Sequence, residues 1–356
     1  MLIETGRGLK KYRQLARMYI FNRKLTAKRL WNLTKCYGQW LLLKDSVISA
    51  YPFRVNIDPT DICNLQCPLC PVGQNKPGRD KGLMHFEDYK KIIDEISPYV
   101  IAVDFFNWGE PFLNDRIFEM IKYAHNKGLV TRISSNMNRF NPEMAAKLVD
   151  SKLDYLIMSI DGASQESYVQ YRVGGKFERV MDHIRAIVAE RKKQGIHKPV
   201  LEWQFLIMKQ NEHEIEKAKA MAKELGVDRI AFRPVRCDMG DEIFISDEKK
   251  VERTWKWLPS NMKLSRYDYQ KKARKKTVKY CHFPWTRAVV NWNGSLSPCC
   301  AIYNQRHDFG NVFTDGFGTV WNNQKYQIAR RVVKERAEGK PEAVVCYPCV
   351  KNGAID

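Results

Sequence analysis

Three cysteines, Cys63, Cys67 and Cys70, stand in one short stretch, Asp61-Ile-Cys-Asn-Leu-Gln-Cys-Pro-Leu-Cys70, directly after the strand-like run Phe53-Arg-Val-Asn-Ile-Asp58. Their C-x3-C-x2-C spacing offers three thiolates from a single loop. That is enough to hold a [4Fe–4S] cluster by three irons and leave the fourth iron open to a ligand. Structural zinc closes with four ligands, commonly from paired C-x2-C units, and His85 lies too far along the chain, at the start of a predicted helix. Disulfides account poorly for an odd number of thiols. Met1-Leu-Ile-Glu-Thr-Gly lacks the charged-then-apolar order of a signal peptide, so a cytoplasmic location with reduced thiols is expected.

The ten cysteines concentrate at 63–70 and 281–349, and in a chain of 356 residues this reads as metal ligation rather than a disulfide scaffold. The second set is Cys281, then Gly294-x4-Cys299-Cys300, then Cys346-x2-Cys349. Cys36 lies outside both sets and reads as a plain helix-face residue. Cys237 follows Arg233-Pro-Val-Arg236 and could face the cavity as a hydrogen-atom donor, although a lone cysteine is more often an inert small hydrophobe.

The elements that must position these residues alternate between strand and helix from Phe53 to about Pro234. Strands are predicted near 53–58, 100–106, 129–134, 154–160, 201–207 and 228–232, and helices over 86–97, 114–127, 141–150, 177–194 and 211–225. Asn114 and Asn141-Pro142 open two of these helices, while Gly128 and Gly226 close others. Repeated strand-helix units joined by right-handed crossovers build a parallel sheet, and six units fit an open, partial (β/α)6 TIM-like barrel better than a closed one. The active site of such a fold lies at the carboxyl ends of the strands. The cysteine loop falls there, as do Asn107-Trp-Gly-Glu-Pro111, Ser134-Ser-Asn136, Ser159-Ile-Asp-Gly162 and Arg233-Pro-Val-Arg236.

The chain carries 60 Lys and Arg against 40 Asp and Glu, a formal charge of +20. Such an excess can serve nucleic acid, anionic membrane or acidic protein partners. No recognised nucleic-acid-binding motif accompanies it, so nucleic acid is the minority reading. Within residues 1–50, Leu9, Tyr12, Leu15, Ala16, Tyr19 and Ile20 share one helical face, and Leu30, Trp31, Leu33, Trp40 and Leu41 continue an apolar stripe among basic residues. Such a segment either lies on an anionic membrane surface, here the inner face, or packs its stripe onto the protein as a cap. No run approaches the ~20 apolar residues of a membrane span.

Over roughly 53–235 these motifs resemble the radical S-adenosylmethionine (SAM) superfamily, and 281–349 resembles its C-terminal SPASM-type iron–sulfur domain. The resemblance implies an α/β fold divided into a basic helical extension (1–50), the partial barrel (51–235), a bridging segment (236–280) and a small, shortened SPASM-like domain (281–356). It implies that Cys63, Cys67 and Cys70 hold a [4Fe–4S] cluster whose open iron takes the amino and carboxylate groups of SAM. Asn107-Trp-Gly-Glu-Pro111 looks like the family's Gly-Gly-Glu-Pro motif and departs from it at Asn107-Trp108. Gly109 and Glu110 would still place a carboxylate against the methionyl ammonium. Ser159 and Asp161 look like the ribose-contacting tip, and Ser134 and Asn136 like the polar tip of the third strand. Arg172, similar to an arginine common in this group, could bind the SAM carboxylate, with a surface salt bridge as the plain alternative and Arg233 competing for the role. Gln204 and Asn211 are weaker candidates that could equally brace a loop.

In the second set, Cys281 followed by Gly294-x4-Cys299 resembles the start of a SPASM domain, with Asn293-Gly294 as a hairpin turn. Further cysteines expected after Cys346-x2-Cys349 are missing. One auxiliary [4Fe–4S] cluster is therefore expected on Cys281, Cys299, Cys346 and Cys349, with Cys300 as a substitute ligand and zinc as the alternative metal. The implied chemistry is reductive cleavage of SAM to a 5′-deoxyadenosyl radical that abstracts hydrogen from a substrate, fed by a flavodoxin or ferredoxin-type donor. Oxidation or epimerisation of a small polar, sugar-like or lipid-linked molecule is the expected outcome. Two alternatives stand beside it: a peptide- or protein-modifying maturase, and a non-catalytic iron–sulfur protein that binds nucleic acid.

Overall fold

The computed structural model describes residues 2–4 (as backbone), 25–42, 46–236, 247–275, 281–338 and 344–351. Eleven strands are named here in chain order: β1 (Leu2–Glu4), β2 (Arg54–Ile57), β3 (Ala102–Phe105), β4 (Val130–Ser135), β5 (Tyr155–Ser159), β6 (Val200–Ile207), β7 (Arg229–Pro234), β8 (Tyr267–Asp268), β9 (Ala273–Arg274), β10 (Arg287–Val290) and β11 (Leu296–Ser297). The six expected strands are β2 to β7, all parallel and hydrogen-bonded in sequence order. Helices α1 (Ala27–Leu41), α2 (Phe86–Ile96), α3 (Ile117–Asn126), α4 (Met144–Asp150), α5 (Gln165–Tyr171), α6 (Phe177–Lys193), α7 (Ile215–Glu224), α8 (Asp247–Thr254), α9 (Gln324–Lys334) and α10 (Cys346–Lys351) complete the longer elements. The fold is the α/β partial barrel that the strand-helix alternation predicts.

Strand parity divides the barrel into two chemistries. Val55, Ile57, Val103, Phe105, Ile133, Leu156, Met158, Trp203, Phe205, Ile230 and Phe232 point outward into one apolar core with Tyr89, Ile92, Ile121 and Ile184 of the helices. The alternate residues face the lumen, and most of them are polar. Arg54 and Arg132 converge on buried Asp104, while Tyr155 donates to Glu202 at 2.6 Å and Arg229 lies 3.6 Å from the same carboxylate. The lower lumen is thus closed by interlocking charge pairs rather than by branched aliphatics.

Two features differ from the sequence expectation. The sheet has nine strands, because β10 runs parallel to β2 with Arg287 opposite Arg54 and Val290 opposite Ile57, and β11 pairs with β10. The C-terminal segment therefore continues the barrel sheet. At the far edge β1 pairs with β7, so the first residues are strand where helix was expected. The apolar face of residues 9–20 lies outside the described residues.

Helix α1 caps the barrel mainly with its polar face, and of the apolar stripe Trp40 packs against the core beside the His282 ring. Arg29 donates to the carbonyls of Ser97, Lys127 and Gly128, Asn32 bonds both backbone groups of Tyr51 and the carbonyl of Tyr99, and the Cys36 thiol donates to Tyr51 at 2.8 Å. These carbonyls end helices or precede strands at the base of the barrel and lack partners of their own. Satisfying them turns the polar face of α1 inward and leaves Leu30, Trp31 and Leu41 outside.

Candidate active site

The cysteine loop is built by close backbone approach. A Cβ on Gly73 would lie 2.4 Å from the Cys67 nitrogen, and one on Gly109 would lie 2.0 Å from the Thr60 carbonyl oxygen, so neither position accepts a side chain. Cys70 N–H donates to Cys67, Gln66 N–H to Val173, and Glu110 N–H to Ile62, which pins the loop between the tips of β3 and α5. Cys67 is buried, and Cys63 and Cys70 are half-buried. Burial pushes the Cys63 thiol up to about 12, with the Glu110 carboxylate raising it further. Such thiols ionise only when a metal takes the proton's place, as expected of ligands rather than free nucleophiles.

Polar groups surround the loop. Asn136 Nδ2 lies 3.7 Å from Cys63 Sγ and 3.0 Å from Asn64 Oδ1, and Arg172 Nη1 lies 3.7 Å from Cys67 Sγ. Glu110 is buried, and its carboxylate accepts from Ser135 Oγ at 2.7 Å, Asn136 N–H at 2.8 Å and Phe112 N–H at 3.3 Å. Burial still pushes it up to about 7, against the lowering effect of these bonds. Arg172 is paired with Asp161 at 2.6 Å, and both are shielded from solvent, so the surface salt bridge considered from sequence is a buried one. Asp161 also accepts from Leu206 N–H. Ser134 and Ser159 hydroxyls lie 3.3 Å apart on neighbouring strands. Arg233, the penultimate residue of β7, lies half-buried opposite Leu206, and Gln204 is half-buried opposite Ser159. Asn211 is fully engaged, donating to Asp161 and Leu206 and accepting from Met208, which is the bracing role.

The second thiol set surrounds a cavity of about 60 Å³ lined by Cys281, Cys299, Cys300, Cys346 and Cys349 with Pro284, Pro298, Ile302, Val333 and Val345. Arg236 reaches the same cavity. Burial pushes Cys281 up to about 12 and raises Cys299 and Cys346 as well. Among the described residues, no three His, Cys, Asp or Glu side chains converge where a single metal ion could sit. Thiols spread around a cavity suit a multi-iron cluster better than a zinc ion, which needs four sulfurs at about 2.3 Å from one point. Cys237 lies outside the described residues.

Sequence reasoning missed what covers the triad. Val251, Trp257, Leu258 and Tyr267 of the bridging segment share an apolar cluster with Leu65, Cys67 and Tyr171, with Cys63 and Cys70 packed against it. On the other side Trp108 and Tyr303 meet edge to face at 5.4 Å against Cys63 and Cys70. The Trp108 indole donates to the Ile302 carbonyl at 2.9 Å, which gives the departure at Asn107-Trp108 a purpose: the tip is fastened to the C-terminal segment. Buried Arg79 clamps Asp308 with two bonds of 2.9 and 3.0 Å.

A thiol triad at the rim of a partial parallel barrel, beside a buried carboxylate and guanidinium, defines an iron–sulfur enzyme that binds a small zwitterionic cofactor. Residues 57–222 match the model of the Radical SAM superfamily and residues 281–350 that of an Iron-sulfur cluster-binding domain, the SPASM domain. The chain belongs to the radical SAM superfamily and uses SAM, a [4Fe–4S] cluster and an auxiliary iron–sulfur cluster. It is similar to the tungsten-containing aldehyde ferredoxin oxidoreductase cofactor-modifying protein of Pyrococcus furiosus, 23% identical over 78% of this chain and 83% of that protein. It is also similar to the mycofactocin maturase MftC of Mycobacterium ulcerans, 24% identical over 85% and 83%. Several other curated relatives are matched over only about half of their own length. Among solved structures, Streptococcus suis SuiB bound to precursor peptide SuiA has the same fold with a TM-score of 0.59, 15% identity, and coverage of 92% of this chain and 73% of that one.

Proposed function

We propose that this radical SAM enzyme is a maturase that modifies a peptide or protein. The reading rests on the relatives spanning about four fifths of both chains, whose names are those of a maturase and a cofactor-modifying protein. A groove of about 460 Å³ beside the rim, lined by Gln170, Lys209, Gln210, Lys256 and Trp257, offers an extended substrate more room than a sugar needs. The small-molecule expectation is carried by relatives matched over less of their length, among them an AdoMet-dependent heme synthase and an Fe-coproporphyrin III synthase of Methanosarcina barkeri.

In this proposal Cys63, Cys67 and Cys70 hold the catalytic cluster, and Cys281, Cys299, Cys346 and Cys349 the auxiliary one. The cluster that these residues would hold, given one electron by an external donor of the flavodoxin or ferredoxin type, would cleave SAM to methionine and a 5′-deoxyadenosyl radical able to take hydrogen from the substrate. Glu110 accepts the methionyl ammonium, its three internal bonds leaving one lone-pair direction open. Arg172 meets the SAM carboxylate while Asp161 fixes its fork. Ser159, Ser134 and Asn136 form the polar wall for the ribose, and Arg233 closes it from β7. Trp257 and Tyr267 of the bridging cover exclude water from the triad.

Anaerobic reconstitution with dithionite and SAM tests the proposal. The iron-loaded parent should form 5′-deoxyadenosine, and a peptide encoded beside its gene should change mass in the same reaction. A fully loaded parent no more active than Cys63→Ala would sink the enzymatic roles assigned to the triad. Cleavage of SAM coupled to a sugar, with every neighbouring peptide unchanged, would replace the peptide substrate.

A further inference from the structure

Helix α1 is amphipathic in the inverted sense. Its polar residues Arg29, Asn32 and Cys36 are buried in hydrogen bonds to the barrel base, whereas Leu30 is 50% exposed, Trp31 63%, Leu41 63% and Leu42 82%. Leu30, Tyr37 and Leu41, flanked by Trp31 and Leu42, recur at helical spacing and form one apolar ridge. Scattered exposed leucines need no explanation, but a contiguous ridge with a tryptophan and a tyrosine does.

Charge selects the occupant. Among the described residues of 25–50 the charged side chains are Lys28, Arg29 and Lys35, with no Asp or Glu, and Arg29 is buried. Lys28 and Lys35 flank the ridge itself, Lys28 over the Tyr99 ring and Lys35 beside Ser49. Asp94 and Glu95 face the same end of the barrel, but Asp94 is paired with Lys127 and Glu95 holds the N–H groups of Phe317 and Gly318. An apolar ridge with an aromatic belt and a cationic border is complementary to an anionic lipid surface. We infer that α1 seats the enzyme on such a membrane by the barrel base.

The seating has a direction. The carbonyls that anchor α1 belong to Tyr51, Ser97, Tyr99, Lys127 and Gly128, all before the first residues of β2, β3 and β4, while Cys63 follows the last residue of β2. The thiol triad therefore points away from the lipid, and the substrate arrives from the aqueous side. This removes the ground for expecting a lipid-linked substrate, and it is independent of whether the substrate is a peptide.

Sedimentation of the full-length holoenzyme with phosphatidylglycerol/phosphatidylcholine vesicles tests it. The parent should bind these vesicles, bind pure phosphatidylcholine far less, and release as salt rises. Replacing the ridge, Trp31→Ser with Leu41→Ser and Leu42→Ser, should lower partitioning at least about tenfold while iron content and 5′-deoxyadenosine formation hold. Vesicle-bound parent should cleave SAM as fast as free parent, because the rim stays in water. Equal sedimentation of parent and ridge variant, or none by either, overturns the inference. So does a dimer, formed without lipid, that the ridge variant abolishes.

Discussion

At the barrel rim, three thiols share their surroundings with Asn136, Glu110, Asp161 and Arg172, whereas the five C-terminal thiols line a cavity walled by Pro284, Pro298, Ile302, Val333 and Val345. In the proposed assignment the first setting has one ligand too few and many hydrogen-bonding groups, and the second has a ligand to spare and few such groups. The difference separates a centre that must exchange a charged cofactor from one that must keep its metal and shed water.

The largest expected effect breaks the contrast outright. Cys63→Ala should abolish 5′-deoxyadenosine formation by well over ~10³-fold, since the cofactor supplies most of an acceleration that commonly exceeds ~10⁶. Cys281→Ala should leave SAM cleavage measurable by chromatography while losing iron from the second site. Next comes the seam between the regions. Arg79→Met strands the buried Asp308 carboxylate and should cost about 3–5 kcal/mol in urea unfolding, and Arg79→Met with Asp308→Leu should recover much of that loss.

Glu110→Gln keeps the shape of the rim and removes its charge. SAM affinity should fall by roughly 10–100-fold, as for a lost charged hydrogen bond of ~1.5–3 kcal/mol, with iron content unchanged in an equilibrium binding assay. A smaller effect depends on pH. Burial pushes Asp58 up to about 7, although its Oδ2 accepts from Trp108 N–H. The folded chain thus holds this proton more tightly than the unfolded one. The contribution is present below the ordinary carboxylate range and lost as pH rises through about 7. Asp58→Asn should therefore raise the melting temperature at pH 8 and leave it nearly unchanged at pH 4. The smallest effect is Cys300→Ser: four thiolates still remain, and iron content should match the parent, while Cys299→Ser should lower it.

Much of this was legible in the chain because the relevant signals are local. The triad is contiguous, the strands β2 to β7 announce themselves by apolar runs between helical periods, and the rim motifs follow strand ends. The helix-facing half of each strand was readable for the same reason. What was not legible depends on partners far apart in sequence. The lumen ladder from Arg54 through Asp104 and Arg132 to Tyr155, Glu202 and Arg229 reads, strand by strand, as stray charges. Trp108 reads in the sequence as a departure from a motif, and only the fold brings the Ile302 carbonyl to its indole N–H. The stripe of α1 was recognised, yet its direction was set by unpartnered carbonyls at the barrel base, which no periodicity reports.

The pairing of β2 with β10 joins residues 54–57 to 287–290. During synthesis at ~5–20 residues per second, the strand that leads into the cysteine loop waits roughly 12–47 s for the neighbour that completes its edge. Arg79 and Trp108 wait comparably long for Asp308 and Ile302. Iron delivered to the triad on the ribosome would meet a loop without its C-terminal wall, so durable loading belongs after chain release. Nascent chains stalled before residue 287 should lose radiolabelled iron to a chelator that the released protein resists.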